Sequence, residues 1–259
     1  MYATERRELI EQALSEHSRV AVADLSVRLG VTTETVRRDL AVLEQAGVLR
    51  RVHGGAVPAG RGSLAEADLR ERSGRHGASK RAIATRALDV LGHDFSGSLL
   101  IDAGTTTAAL ADLLPARLAG ARVEIVTHAV AIAAALGATD EIALSVVGGR
   151  LRGLTGAAVG ASTVEAIDSL RPEIAFVGTN GLTADFGLST PDPDEADVKR
   201  AIVRAARRVI LLADASKFGG ESLQRFARLD EVDLLVTDRE PDDALAEALE
   251  NAEVEVWVA

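Results

Sequence analysis

Apolar residues in the first part of the chain recur at helical spacing. Leu9, Ile10, Ala13 and Leu14 make a stripe along Glu5–His17, and Ala23, Leu25, Val27 and Leu29 offer a second along the shorter Val22–Leu29. Val36, Leu40 and Leu43 stand at i, i+4 and i+7, so they share one face of a third helix. Thr32 or Thr33 can cap its start, because a threonine hydroxyl accepts from an unpaired backbone N–H there. Gly30 supplies the turn before it and Gly47 a C-cap behind it. A short β-like run, Val48–Val52, follows, and His53-Gly54-Gly55 turns the chain away. Helix, helix, glycine turn, helix and basic hairpin together predict a winged helix-turn-helix.

Beyond residue 80 the pattern changes. Strands are expected at Ser98–Asp102, Arg122–Thr127, Ile142–Val147, Ile174–Val177, Val209–Ala213, Leu234–Val236 and Val254–Val258. Helices are expected between them at Ala82–Leu91, Thr106–Leu114 (halted by Pro115), Ala129–Leu136, Ser162–Leu170, Asp194–Ala206 and Asp242–Leu249. Short Val/Ile/Leu strands alternating with helices predict a mostly parallel sheet covered on both faces. The fold class is thus α/β, with a winged helix-turn-helix over 1–57, a linker over 58–75 and a larger domain over 76–259. Pro58–Gly62 is linker-like in composition, and Ser63–Arg75 can form a connecting helix.

The helical face opposite Val36, Leu40 and Leu43 carries Thr33, Glu34, Arg37, Arg38 and Ala41. Small polar residues and paired arginines on a helix fit a major groove, and a wing bearing Arg50 and Arg51 fits phosphates or a minor groove. Charge distribution agrees. The net charge is −10, yet residues 1–57 hold eight arginines and eight carboxylates, so the whole deficit lies in the remainder. An acidic body repels DNA and a neutral head with clustered arginines approaches it. The sequence has no cysteine, which removes disulfides, thiolate metal sites and cysteine nucleophiles. The five histidines lack metal-ligand spacing: His17 and His93 read as surface residues and His128 as a loop residue after its strand. No metal and no cofactor are expected. No apolar run is long enough to span a membrane and the N-terminus is no signal peptide, so a soluble cytoplasmic protein is expected.

In open α/β sheets ligands bind beyond the C-terminal strand ends. Four polar segments fall there. Asp102-Ala103-Gly104-Thr105-Thr106-Thr107 opens a helix, where free N–H groups favour phosphate. Gly149 and Arg150 follow the third strand, and Gly178, Asn180 and Gly181 the fourth. Lys217 follows the fifth, within Asp214–Gly219. Taken singly, Arg150 also reads as a surface charge, Lys217 as a partner of Asp214, and the threonine run as a simple β-to-α turn. Convergence at one end of one sheet makes a pocket the working expectation.

The strings TVRRDL and LEQAGVLRRVHGGAV resemble the DNA-binding domain of the DeoR/GlpR family of bacterial transcriptional regulators. IDAGTTT, VVGG, FVGTNGL, DASKFG and LLVTD resemble that family's effector domain, as does Glu71-Arg72 ahead of Lys80. The resemblance implies that Thr35, Arg37, Arg38, Arg50, Arg51 and His53 face double-stranded operator DNA. It implies a fold akin to ribose-5-phosphate isomerase and coenzyme A transferases, a phosphorylated sugar or related metabolite as effector, and phosphate contacts from Gly104, Thr105, Thr106, Thr107 and Lys217. Thr127-His128 departs from the family's Thr-Asn and leaves that loop's contacts open. A single recognition helix reads few base pairs, so a dimer or tetramer is expected. The competing class is a sugar-phosphate isomerase with a DNA-binding head. Such a reaction needs a placed carboxylate. The Gly178–Gly181 loop has none, Asp185 being the nearest acid and Asp192, Asp194, Glu195 and Asp197 coming later. A repressor of a sugar-metabolism operon, without catalysis, is the expectation.

Overall fold

A computed structural model describes residues 3–17, 20–46, 48–52, 54–58, 66, 69–92, 95–137 and 142–259. It forms two compact units, 1–65 and 66–259.

The smaller unit contains helices α1 (Ala3–His17), α2 (Val22–Leu29) and α3 (Thr33–Gln45). Strand β1 (Val20–Ala21) and β2 (Leu49–Val52) flank β3 (Gly55–Pro58) in an antiparallel sheet. Thr32 is the cap of α3, its side chain accepting from the Thr35 N–H at 3.2 Å. The turn before it holds Gly30 at φ +63°, with the Ser26 hydroxyl donating to the Val31 carbonyl at 2.7 Å. Ile10, Leu25, Val36, Leu40, Leu43 and Leu49 close the core. Val27, expected to pack, is 85 % exposed, and Ala23 is exposed as well, because the buried arc of α2 passes through Val22, Leu25 and Leu29. The core also admits a charge: Asp39, 3 % exposed, accepts from Arg6 Nε at 2.7 Å and Arg7 Nε at 3.3 Å, tying α1 to α3. The last residue of the α3 cap is Ala46; Gly47 and His53 lie outside the described residues.

The larger unit is built on seven parallel strands. Their order across the sheet is Glu255–Val258, Leu234–Thr237, Val209–Leu212, Ile174–Gly178, Gly97–Ile101, Val123–Thr127 and Ala143–Val146. Strand faces alternate. Leu100, Val126, Ala175, Val177, Leu211 and Leu235 enter one core, and Leu99, Ile101, Ile125, Phe176, Ile210 and Leu234 the other. This is why the strands read as unbroken apolar runs.

Three features depart from the periodicity. Residues 66 and 69–75, assigned to the linker, belong to the larger unit: the helix Leu69–Gly74 starts with the Leu69 N–H donating to the Leu154 carbonyl at 3.2 Å. Pro115 does not halt a helix running to 114. The helix Thr105–Ala111 stops earlier, and Pro115 sits in the first turn of a separate Leu114–Arg117 helix, where a missing N–H costs nothing. Short antiparallel pieces were also invisible: a hairpin of Arg150–Arg152 with Ala157–Val159, and a sheet of Gly181–Thr183, Gly187–Thr190 and Gln224–Ala227. Their strands are only three or four residues long, too short to show an alternating pattern, and two of them, Gly181–Thr183 and Gly187–Thr190, are rich in Gly, Thr and Ser.

Candidate functional site

On α3 the polar face is open. Thr33 and Glu34 are exposed, and the Arg37 and Arg38 side chains are 61 % and 80 % exposed, with Glu34 3.9 Å from Arg37 and 3.5 Å from Arg38. Exposed pairs of this length hold little energy and exchange easily for phosphate. Thr35 is half-buried, its hydroxyl 3.0 Å from that of Thr32. Arg51 is braced instead. Its Nε donates to Glu44 Oε2 at 2.7 Å and its backbone N–H to Oε1 at 2.8 Å, pinning the wing to the end of α3. Arg50 contributes its backbone to the ladder opposite Val57; its side chain and all of His53 lie outside the described residues.

In the larger unit a cleft of about 500 Å³ of empty space, part of it open solvent, lies over the C-terminal ends of the central strands. The loop Ala103–Thr106 forms one wall, Gly178, Thr179 and Asn180 another, and Arg72 and Lys217 project from neighbouring segments. Thus Gly104, Thr105, Thr106, Gly178, Asn180 and Lys217 converge as their positions at strand ends predict. The structure does not bring the others to the cleft. Thr107 is fully buried and its hydroxyl donates to the Gly104 carbonyl at 3.0 Å, closing the first helical turn. Gly149 is a packing glycine: a Cβ there would meet Thr163 Oγ1 at 1.9 Å. Gly181 likewise leaves 2.2 Å between a would-be Cβ and the Gly220 carbonyl oxygen. Arg150 is 63 % exposed and paired with Asp194.

Asp102 is the floor rather than a wall. It is fully buried, with Oδ2 accepting from the Lys199 ammonium and from the Gly178 N–H at 3.0 Å. Lys199 also donates to the Gly178 carbonyl at 3.0 Å. Burial alone would raise the Asp102 carboxyl, but the adjacent Lys199 charge holds it at about 2. His128, 3 % exposed, explains its own place. Its Nδ1 is 2.9 Å from the Ala158 carbonyl, which only accepts, so that nitrogen carries the proton. Its Nε2 accepts from the Ala103 N–H at 3.2 Å and lies 3.1 Å from Asp102 Oδ1. The histidine therefore supports the Ala103–Thr106 loop from beneath.

A second buried layer adjoins the cleft. Glu195 accepts from the Thr155 hydroxyl and from Arg152 Nη1 at 3.1 Å, and Arg152 Nε is 3.0 Å from Asp192. Glu195 and Lys199 line the cleft from the helix Pro193–Ala205. Sequence reasoning placed neither inside. Glu195, Val198, Lys199 and Ile202 stand at i, i+3, i+4 and i+7, and all four are buried, so two charges in an apolar stripe were the available signal. Lys80 is held in the same region, donating to the carbonyls of Arg72 and, at 2.8 Å, Arg75. Burial lowers its ammonium to about 8 despite Asp214. Lys217 lines the cleft, and its charge holds the buried Asp214 carboxyl below the usual range against desolvation. Among the described residues no cluster of His, Asp and Glu can hold a metal, and no helix is long and apolar enough to cross a membrane.

A winged helix-turn-helix joined to a parallel sheet with a polar cleft at its strand ends defines a two-domain regulator that reads DNA and senses a ligand. The DeoR-like helix-turn-helix domain matches residues 6–60 and the DeoR C terminal sensor domain residues 75–239. The chain belongs to the DeoR family of transcriptional regulators. It is 37 % identical to the HTH-type transcriptional regulator GlpR of Haloferax volcanii, over 99 % of this chain and 98 % of that one. It is 35 % identical to the HTH-type transcriptional regulator FruR of Bacillus subtilis, over 93 % of each. It is 28 % identical to the glycerol-3-phosphate regulon repressor of Escherichia coli, over 99 % of each. Among solved structures, ribose 5-phosphate isomerase A of Methanocaldococcus jannaschii matches 54 % of this chain and 53 % of its own, at a TM-score of 0.39 and 17 % identity.

Proposed function

We propose that the protein is a repressor of a sugar-metabolism operon, released or engaged by a phosphorylated sugar or related metabolite. The observation that carries this reading is the makeup of the cleft. Arg72, Lys217, the Asn180 amide and the Ala103–Thr106 loop face one space, a donor-rich set suited to an anionic, hydroxylated ligand. The names of the relatives support the class of ligand and the sign of control, one being a glycerol-3-phosphate regulon repressor and another a putative aga operon transcriptional repressor. Thr33, Glu34, Thr35, Arg37, Arg38, Arg50, Arg51 and His53 make the operator surface, with paired half-sites read by a dimer or tetramer in the cytoplasm.

The same cleft argues against isomerisation. A general base must be free to take a proton from carbon. Asp102 is fully enclosed and bound by Lys199, and Glu195 is engaged by Arg152 and Thr155. Asp185 is exposed in the turn between Gly181–Thr183 and Gly187–Thr190 and does not line the cleft. A site with donors for a phosphate and no available base binds without turning over. The test is an operator titration with and without glycerol 3-phosphate and a panel of pentose and hexose phosphates. One of them should change operator affinity and, reciprocally, operator should change its affinity by the same factor. Turnover of any of these compounds, or indifference to all of them, refutes the reading.

A further inference from the structure

Glu66 is the first residue of the larger unit and follows closely in sequence on Pro58, where the last strand of the wing ends. A carboxylate beside a chain boundary ordinarily faces water. This side chain is 2 % exposed, and what it touches is the equipment of the cleft. Its Oε1 accepts from Arg72 Nη1 at 3.0 Å and from Asn180 Nδ2 at 3.4 Å. Its Oε2 lies 2.8 Å from Arg152 Nη1. Arg72 and Asn180 both line the cleft.

Two guanidinium groups and a side-chain amide around one buried carboxylate form the donor set that anion recognition uses. The fit is imperfect. Oε2 makes no aligned hydrogen bond despite its approach to Arg152, and the Asn180 contact is long. Arg152 also carries Asp192 and Glu195, so its charge is already shared among carboxylates. Losing Glu66 would leave it paired.

We propose that the Glu66 carboxylate is a tethered occupant of the cleft's anion donors, and that an anionic effector binds by displacing it. The inference rests on the phosphorylated-effector reading and adds how that ligand is sensed. An arriving phosphate takes Arg72 and Asn180, Glu66 returns to water, and the start of the larger unit comes away from the site. The coupling needs no strain, since the effector competes with a side chain present in only one of the two states.

The experiment uses the full chain with inorganic phosphate and glycerol 3-phosphate as probes, against chloride at equal ionic strength. Calorimetric titration compares wild type with Glu66→Gln, which keeps the shape and removes the charge. The variant should bind the anion about tenfold more tightly, because its competitor has gone. A carboxylate serving only to hold the fold predicts weaker or unchanged binding. Hydrogen exchange on the wild type gives a second readout that needs no variant. Anion should speed exchange across residues 69–72, whose first amide bonds to Leu154. Unchanged or weaker binding in Glu66→Gln, or protection of 69–72 by anion, overturns the displacement while leaving the effector reading intact. If neither protein binds either probe, the phosphate reading falls, and this inference falls with it.

Discussion

The two units use arginine in opposite ways. On α3, Arg37 and Arg38 stand in solvent beside a single carboxylate at 3.9 and 3.5 Å. In the larger unit, Arg152 is 17 % exposed and serves three carboxylates at 2.8, 3.0 and 3.1 Å. The first arrangement keeps charge available for a partner that comes and goes. The second fixes a geometry, because a buried charge is tolerated only when it is paired and hydrogen-bonded. A charge that is cheap to free recognises, and a charge that is costly to free positions. Substitutions should sort accordingly: in the small unit they should change binding with little change in stability, and around the cleft floor they should do the reverse.

The largest effect is expected at the recognition helix. Arg37→Ala/Arg38→Ala removes two exposed groups proposed to meet the operator, where a good base-edge contact is worth about 1–3 kcal/mol. Specific operator affinity should fall about a thousandfold, while thermal unfolding of the larger unit stays unchanged. Wild-type binding should also weaken steeply with salt as phosphate contacts release counterions. Retained operator affinity in the double variant would show that this face of α3 is not the reading face.

Asp102→Asn tests the other half. Removing one partner of a buried pair costs about 3–5 kcal/mol, since Lys199 is left buried with its charge uncompensated. Chemical denaturation should report that loss. The acid limb adds a signature. In the folded chain the Asp102 carboxyl titrates near 2, below its ordinary 3.8. Its contribution is complete above pH 3.8 and disappears as the pH falls through 2, about 2 kcal/mol in all. The variant should lack this component of acid unfolding. An unaltered acid limb would mean that Asp102 is no anchor.

Much of this was legible beforehand for a physical reason. The α3 stripe, the glycine turn and the apolar strands obey local periodicity, and local rules place them within a residue or two. The sensor loops were legible as a cluster because parallel strands bring their ends together whatever the side chains do. What escaped depended on contacts distant in sequence. Lys199 reaches Asp102 across the sheet, Arg152 gathers Glu66, Asp192 and Glu195, and Asp39 collects Arg6 and Arg7. Gly149 and Gly181 looked like ligand loops, and the chemistry of glycine is the same whether it admits a phosphate or a neighbouring chain.

Lys217 lies between the two regimes. It lines the cleft, yet its charge also acts on Asp214. Lys217→Ala should cost the effector about tenfold in affinity, the scale of one charge-assisted hydrogen bond. Operator binding without effector should be unchanged. A calorimetric titration with glycerol 3-phosphate, beside an operator titration, checks both. A response to effector at wild-type concentrations would move the phosphate elsewhere in the cleft, toward Arg72.

The smallest effect is expected at Arg150, and it is the sharpest test of the comparison. Arg150 and Arg152 are two residues apart on one three-residue strand, yet their side chains meet different surroundings. Arg152 is turned inward to Glu66, Asp192 and Glu195, and Arg150 outward to Asp194, where both partners are substantially exposed. Residues two apart in a regular strand share a face, so the two arginines differ in the partners they reach and not by alternation. Exposed ion pairs contribute about 0–1 kcal/mol. Arg150→Ala should therefore change stability by less than about 1 kcal/mol and leave the effector response within about twofold. Arg152→Ala, measured beside it, should lose about 3 kcal/mol because it strands a cluster of buried carboxylates. Equal effects from the two arginines would mean that burial does not separate positioning charges from surface ones in this protein.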